Sequence, residues 1–143
     1  MAETFWYRRR VEFRDTDAAG IVHFSVFFAY MEQAEHEFLR HLGLSVVQQF
    51  DGKEISWPRV RAECNYRKPA RFEELLTIGV RVAKLGEKSV TYAFEFRCDE
   101  LLLAEGSIVA ACCEIEERKL IGAVPIPAVF RERLSPYCAQ GIS

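Results

Sequence analysis

Apolar side chains recur along this chain with two different periods, and the change of period marks its elements. Near the N-terminus Phe5, Tyr7, Val11 and Phe13 alternate with Trp6, Arg8, Arg10, Glu12 and Arg14. That period of two predicts a strand with one apolar face, interrupted at Arg9. From Ser25 to Leu42 the spacing lengthens to three and four residues through Phe27, Met31, Ala34, Phe38 and Leu42, while Glu32, Glu35, Arg40 and His41 fall elsewhere on the wheel. The stretch predicts one amphipathic helix of about 18 residues, begun at Ser25 and stopped by Gly43.

After an irregular stretch, SVVQQFDGKEIS, extended patterns return four times. RVRAECNYR sets Val60, Ala62, Cys64 and Tyr66 against Arg59, Arg61, Glu63, Asn65 and Arg67. LTIGVRVAKL leads to a turn at Gly86, and SVTYAFEFRC carries the apolar stripe Val90, Tyr92, Phe94, Phe96 and Cys98. Beyond a turn at CDE, LLLAEGSIVAACCEI reads as one strand apolar on nearly both faces, which needs cover on both. One long helix covers one face, so a second copy of the chain is expected to supply the rest. IPAVFRERL, behind Pro125 and Pro127, predicts a short closing helix.

The order of elements describes an α+β fold of one domain, residues 1–143, in which an antiparallel sheet curls around a central helix. Half of the residues are apolar, enough for a core without staples. Nineteen basic against twenty-one acidic residues leave a formal charge of -2, which provides no general field for DNA or RNA. The Arg8–Arg10 run, without recurring aromatics, adds little to a nucleic-acid reading. No apolar run approaches the roughly 20 residues that span a bilayer, so no membrane partner and a cytoplasmic location are expected. Cys64, Cys98, Cys112, Cys113 and Cys138 are odd in number and lack C-x-x-C spacing, and read as buried thiols rather than ligands or bridges. His36 and His41 stand five apart with no completing ligand set, so no metal site is expected. Neither a P-loop nor G-x-G-x-x-G occurs.

The chemistry concentrates in EFRDTDAAGIVHFSVFF, where Asp15 and Asp17 precede the helix. A carboxylate beside a helix start combines an attacking oxygen or base with unpaired backbone N–H groups, the pair of functions an acyl transfer requires. The residues alone also fit a loop with helix-start acids. The stretch DTDAAGIVHFSVFFAYMEQAEHEFLRHLG (15–43), with YRKPAR (66–71) and the later VPIPAVF, resembles the hotdog-fold acyl-CoA thioesterases of the 4-hydroxybenzoyl-CoA type. That group includes the YbgC-like enzymes and the dihydroxynaphthoyl-CoA hydrolases.

The resemblance implies a hotdog fold, a five-stranded antiparallel sheet wrapped around one long helix. It implies dimers or tetramers with shared active sites, and hydrolysis of an acyl-CoA to free acid and coenzyme A without a cofactor. By the same resemblance Asp17 is nucleophile or general base, and the backbone N–H of Phe24 is the oxyanion donor. Gly20 occupies the motif glycine. His23 is an assisting residue in a loop that departs from the family pattern, since Phe24 stands where histidine is usual and Val26 where asparagine or serine is common.

Lys68 and Arg71, around Pro69, are suited to coenzyme A phosphates. Phe27, Phe28, Tyr30, Trp57 and Phe72 supply aromatic surface, which favours an aryl acyl group. Two other functions compete: non-catalytic acyl-CoA binding, and acyl-thioester hydration or dehydration. The second wants an acid–histidine pair of different spacing.

Overall fold

The computed structural model describes residues 2–139. In chain order its elements are β1 (Phe5–Arg10), α1 (Val26–His41), β2 (Gln48–Phe50), β3 (Lys53–Ser56), β4 (Arg59–Tyr66), β5 (Leu75–Leu85), β6 (Ser89–Cys98), β7 (Leu101–Ala111), β8 (Cys113–Glu116), β9 (Lys119–Ala123) and α2 (Ala128–Leu134). An antiparallel five-stranded sheet runs β1-β5-β6-β7-β4, and a smaller four-stranded sheet runs β2-β3-β8-β9. The α+β class and the antiparallel main sheet agree with the sequence patterns. The second sheet adds to the five strands expected, and α2 is the short closing helix.

Helix α1 lies in the curl of the main sheet because its apolar stripe meets every strand. Phe38 contacts Phe5 of β1 and Tyr92 of β6, and Phe27 contacts Phe96 of β6 and Tyr66 of β4. Met31 presses on Gly106 of β7, and α1 also packs on β5. Full burial of a side chain such as Phe38 stabilises the fold by about 1.5–3 kcal/mol. At the C-terminus of α1, Gly43 adopts φ +73°, its N–H bonds to the Arg40 carbonyl, and the Leu44 N–H bonds to that of Leu39. This paired arrangement closes the helix where the glycine predicts, since a left-handed residue is cheapest as glycine.

Three expectations are corrected. β1 ends at Arg10, so Phe13 enters a 3₁₀ turn and is 76% exposed instead of extending the apolar face. The long strand read through LLLAEGSIVAACCEI breaks at Cys112, whose N–H bonds to the Lys88 carbonyl, and β8 continues in the second sheet. The outer side of β7 is moreover half covered and carries Glu105 and Ser107, so it does not by itself demand a second copy. Exposed apolar side chains also stand on the edge strand β4, where Val60 is 65% and Tyr66 46% exposed.

Candidate active site

The acidic loop is built around Asp15. Its buried carboxylate accepts hydrogen bonds from the Tyr30 hydroxyl at 2.7 Å and from the Glu12 N–H at 2.9 Å, and Arg9 stands 3.8 Å away. The Asp15 carbonyl accepts the His23 N–H at 3.0 Å. Burial, then the hydrogen bond to Asp15, raises the Tyr30 phenol above its ordinary range. Asp15 therefore anchors the loop to β1 and α1, as a buried carboxylate must to offset its desolvation.

The rest of the loop is a small hairpin. Thr16 pairs with Val22, the Asp17 N–H bonds to the Ile21 carbonyl, and Gly20 turns the chain at φ +78°. A Cβ at Gly20 would meet nothing within 4 Å, so the glycine serves the backbone conformation rather than a close approach. The hairpin docks on YRKPAR: the Val22 N–H bonds to the Ala70 carbonyl at 2.8 Å, and Ile21 pairs with Arg71.

This docking opens a cleft of about 400 Å³ at the start of α1, lined by Asp17, Ile21, Val22, Phe24, Phe27, Tyr66, Arg67, Lys68 and Pro69. Asp17 is exposed, and its Oδ1 accepts the Ala19 N–H at 2.8 Å. The Phe24 N–H donates to no acceptor among the described residues, while the Phe24 carbonyl accepts from the Tyr66 hydroxyl at 2.8 Å. Asp17, Phe24 and Lys68 thus share one opening.

Other residues singled out in the sequence lie elsewhere. His23 holds the Ser25 Oγ at 2.8 Å through Nδ1 and stacks on Phe24, outside the cleft lining. The Ser25 hydroxyl is consequently turned to His23 and makes no capping bond. Arg71 is beside the loop hairpin but does not line the cleft. Of the five aromatics considered for a pocket, only Phe27 lines it: Tyr30 is bonded to Asp15, Phe28 is half-buried, Trp57 packs on Phe130, and Phe72 is exposed against Phe13. Tyr66 and Phe24 form the wall instead. Among the described residues no group of three or more His, Cys, Asp or Glu side chains is disposed to hold a metal.

Sequence comparison matches residues 11–134 to the family model described as the thioesterase-like superfamily. The chain belongs to that superfamily. It is an enzyme of the thioester-hydrolase class. A 1,4-dihydroxy-2-naphthoyl-CoA hydrolase of Prochlorococcus marinus (strain MIT 9303) is 33% identical over 108 residues, 71% of this chain and 72% of the relative. A solved 1,4-dihydroxy-2-naphthoyl-CoA thioesterase from Synechocystis superposes with a TM-score of 0.81 at 25% identity, covering 92% of this chain and 96% of its own. A gentisyl-coenzyme A thioesterase superposes with a TM-score of 0.79 at 29% identity, covering 91% and 99%. No helix of the described residues is long and apolar enough to cross a membrane.

Proposed function

We propose that the protein hydrolyses an acyl-CoA thioester to the free acid and coenzyme A, with Asp17 as the reacting carboxylate. The observation that carries this reading is the shared cleft of Asp17 and Phe24 at the start of α1. As general base, Asp17 takes a proton from a water that attacks the thioester carbon; as nucleophile, it forms an acyl-aspartyl anhydride that water then cleaves. In either route the carbonyl oxygen gains charge, the Phe24 N–H donates to it, and the coenzyme A sulfur leaves as thiolate. Carboxylate, water and N–H complete the reaction without a metal or redox group, so dialysis against EDTA is expected to leave activity unchanged.

An aryl acyl group suits a cleft walled by Phe24, Phe27 and Tyr66, and the two solved relatives above carry names of aryl-CoA thioesterases. Lys68 at the rim and Arg71 beyond it serve the phosphates of coenzyme A, and Gly20 shapes the loop that approaches them. His23 acts on loop geometry through Ser25. The uncovered edge at β4 favours pairing with a second copy, which would extend the wall that Tyr66 begins. We assign the activity to the cytoplasm, since the thiols of Cys64, Cys98, Cys112 and Cys113 suit a reducing compartment.

A panel of aryl and aliphatic acyl-CoAs, read by free thiol release, tests the reading. Turnover of at least one aryl-CoA is expected, and inactivity across the panel would reject it. In a single turnover in ¹⁸O-labelled water, label found in Asp17 identifies the carboxylate route with cleavage of the anhydride at the aspartyl carbonyl, whereas direct attack by water puts label in the product acid alone. Light scattering at micromolar concentration tests the assembly, and a fully active monomer would reject the shared site.

A further inference from the structure

The Phe24 carbonyl lies just before α1, which begins at Val26, and no helical N–H reaches it. In a regular helix the Phe28 N–H would bond to the Phe24 carbonyl, but here it bonds to that of Ser25 at 3.2 Å. The Phe24 carbonyl accepts instead from Tyr66, which lies 42 residues away at the end of β4. The Tyr66 ring meets Phe27 edge to face at 5.3 Å, so packing as well as the hydrogen bond holds the side chain. Phe24 therefore has its carbonyl tied to the sheet and its N–H without an acceptor among the described residues, at the cleft that Asp17 enters.

We propose that Tyr66 is a positioning residue for thioester hydrolysis: by holding the Phe24 carbonyl, its hydroxyl fixes the direction of the Phe24 N–H that receives the oxyanion. The inference rests on the thioesterase reading above, with Phe24 as donor. Its physical basis is that the two peptide groups of Phe24 share one Cα, so only φ and ψ separate the tied carbonyl from the free N–H. A donor aimed in advance stabilises developing charge without reorganising during the reaction, and a donor on an untethered turn loses part of that advantage. Burial, reinforced by neighbouring Cys64, raises the Tyr66 phenol to about 12, so the hydroxyl remains a donor at neutral pH.

Tyr66→Phe keeps the ring that walls the cleft and removes only the tether. We expect kcat to fall about 10-fold, the order a lost hydrogen bond supplies, with KM changed by less than about 2-fold. Two unreactive analogues sharpen the result: a ketone, with CH₂ in place of sulfur, and a thioether that lacks the carbonyl. The preference for ketone over thioether should shrink in Tyr66→Phe while thioether affinity holds. Weakening of both analogues alike, with a raised KM, would make Tyr66 a wall contact and overturn the proposal.

As a second variant, 3,5-difluorotyrosine at position 66 retains ring and hydroxyl but ionises at lower pH. Its kcat should accordingly decline at lower pH than that of the wild type, and coincident profiles would overturn the proposal. An active wild type with an unchanged Tyr66→Phe overturns this inference alone. A wild type inactive on every acyl-CoA overturns the thioesterase reading and this inference with it.

Discussion

The Tyr30 hydroxyl donates to the Asp15 carboxylate across 2.7 Å, joining the acidic loop to the second turn of α1 inside the core. Asp15 and Asp17 are alike in sequence, but one is a buried acceptor of loop and helix donors and the other faces an open cleft. Removing the donor while the acceptor stays buried costs the desolvation of that acceptor. Tyr30→Phe should therefore lower stability by about 1–3 kcal/mol, read from the urea midpoint. An unchanged midpoint would show that Glu12 and Arg9 suffice for Asp15.

Asp17→Asn keeps size and loop hydrogen bonding but removes the base and most of the nucleophilicity. A fall in kcat of at least about 100-fold is expected, equivalent to roughly 2.7 kcal/mol of transition-state stabilisation. Binding of the unreactive thioether should survive. Near wild-type turnover would remove Asp17 from the chemistry.

Lys68 stands at the cleft rim, so Lys68→Ala should raise KM several-fold for acyl-CoA and leave kcat little changed. The difference should narrow as salt screens the cation from the phosphates. Steady-state kinetics at two ionic strengths checks both statements.

Glu35 is 1% exposed and accepts two hydrogen bonds from Arg59, at 2.5 and 3.0 Å. Burial raises its carboxyl above the ordinary 4.5, with Arg59 opposing the rise. A carboxyl raised by folding binds more protons in the native state than in the unfolded one. Its contribution to stability is full below the unfolded value and is lost as pH rises through the elevated one. The stability of wild type relative to Glu35→Gln, measured by urea unfolding from about pH 4 to about pH 8, should therefore decrease as pH rises. A pH-independent difference would contradict the assignment.

A Cβ at Gly106 would lie 2.5 Å from Met31 Sδ and 3.1 Å from the Glu63 carbonyl oxygen. Met31 is wholly buried and the carbonyl belongs to β4, so neither neighbour has open space to retreat into. Gly106→Ala is expected to cost about 1–3 kcal/mol by overpacking, seen as a lower Tm.

Periodicity was enough to locate α1, β6 and the inward stripe of Phe27, Met31, Ala34 and Phe38, because burial on one face imposes a repeat on neighbouring residues. The motif likewise marked Asp17 and Gly20, whose spacing lies within one short loop. Glu35 escaped this reading: it stands four residues after Met31, at the edge of the apolar stripe, and only Arg59, 24 residues later on the first position of β4, makes its burial tolerable. Tyr66 escaped it too, since alternation marks an inward residue but not the carbonyl its hydroxyl will find. The four short strands of the second sheet carry too few residues to show a period, and their pairing joins segments about 60 residues apart. Local patterns record which face of an element is buried, whereas partners distant in sequence are chosen when sheet and helix close on each other, and that closure placed Tyr66 and Lys68 beside Asp17.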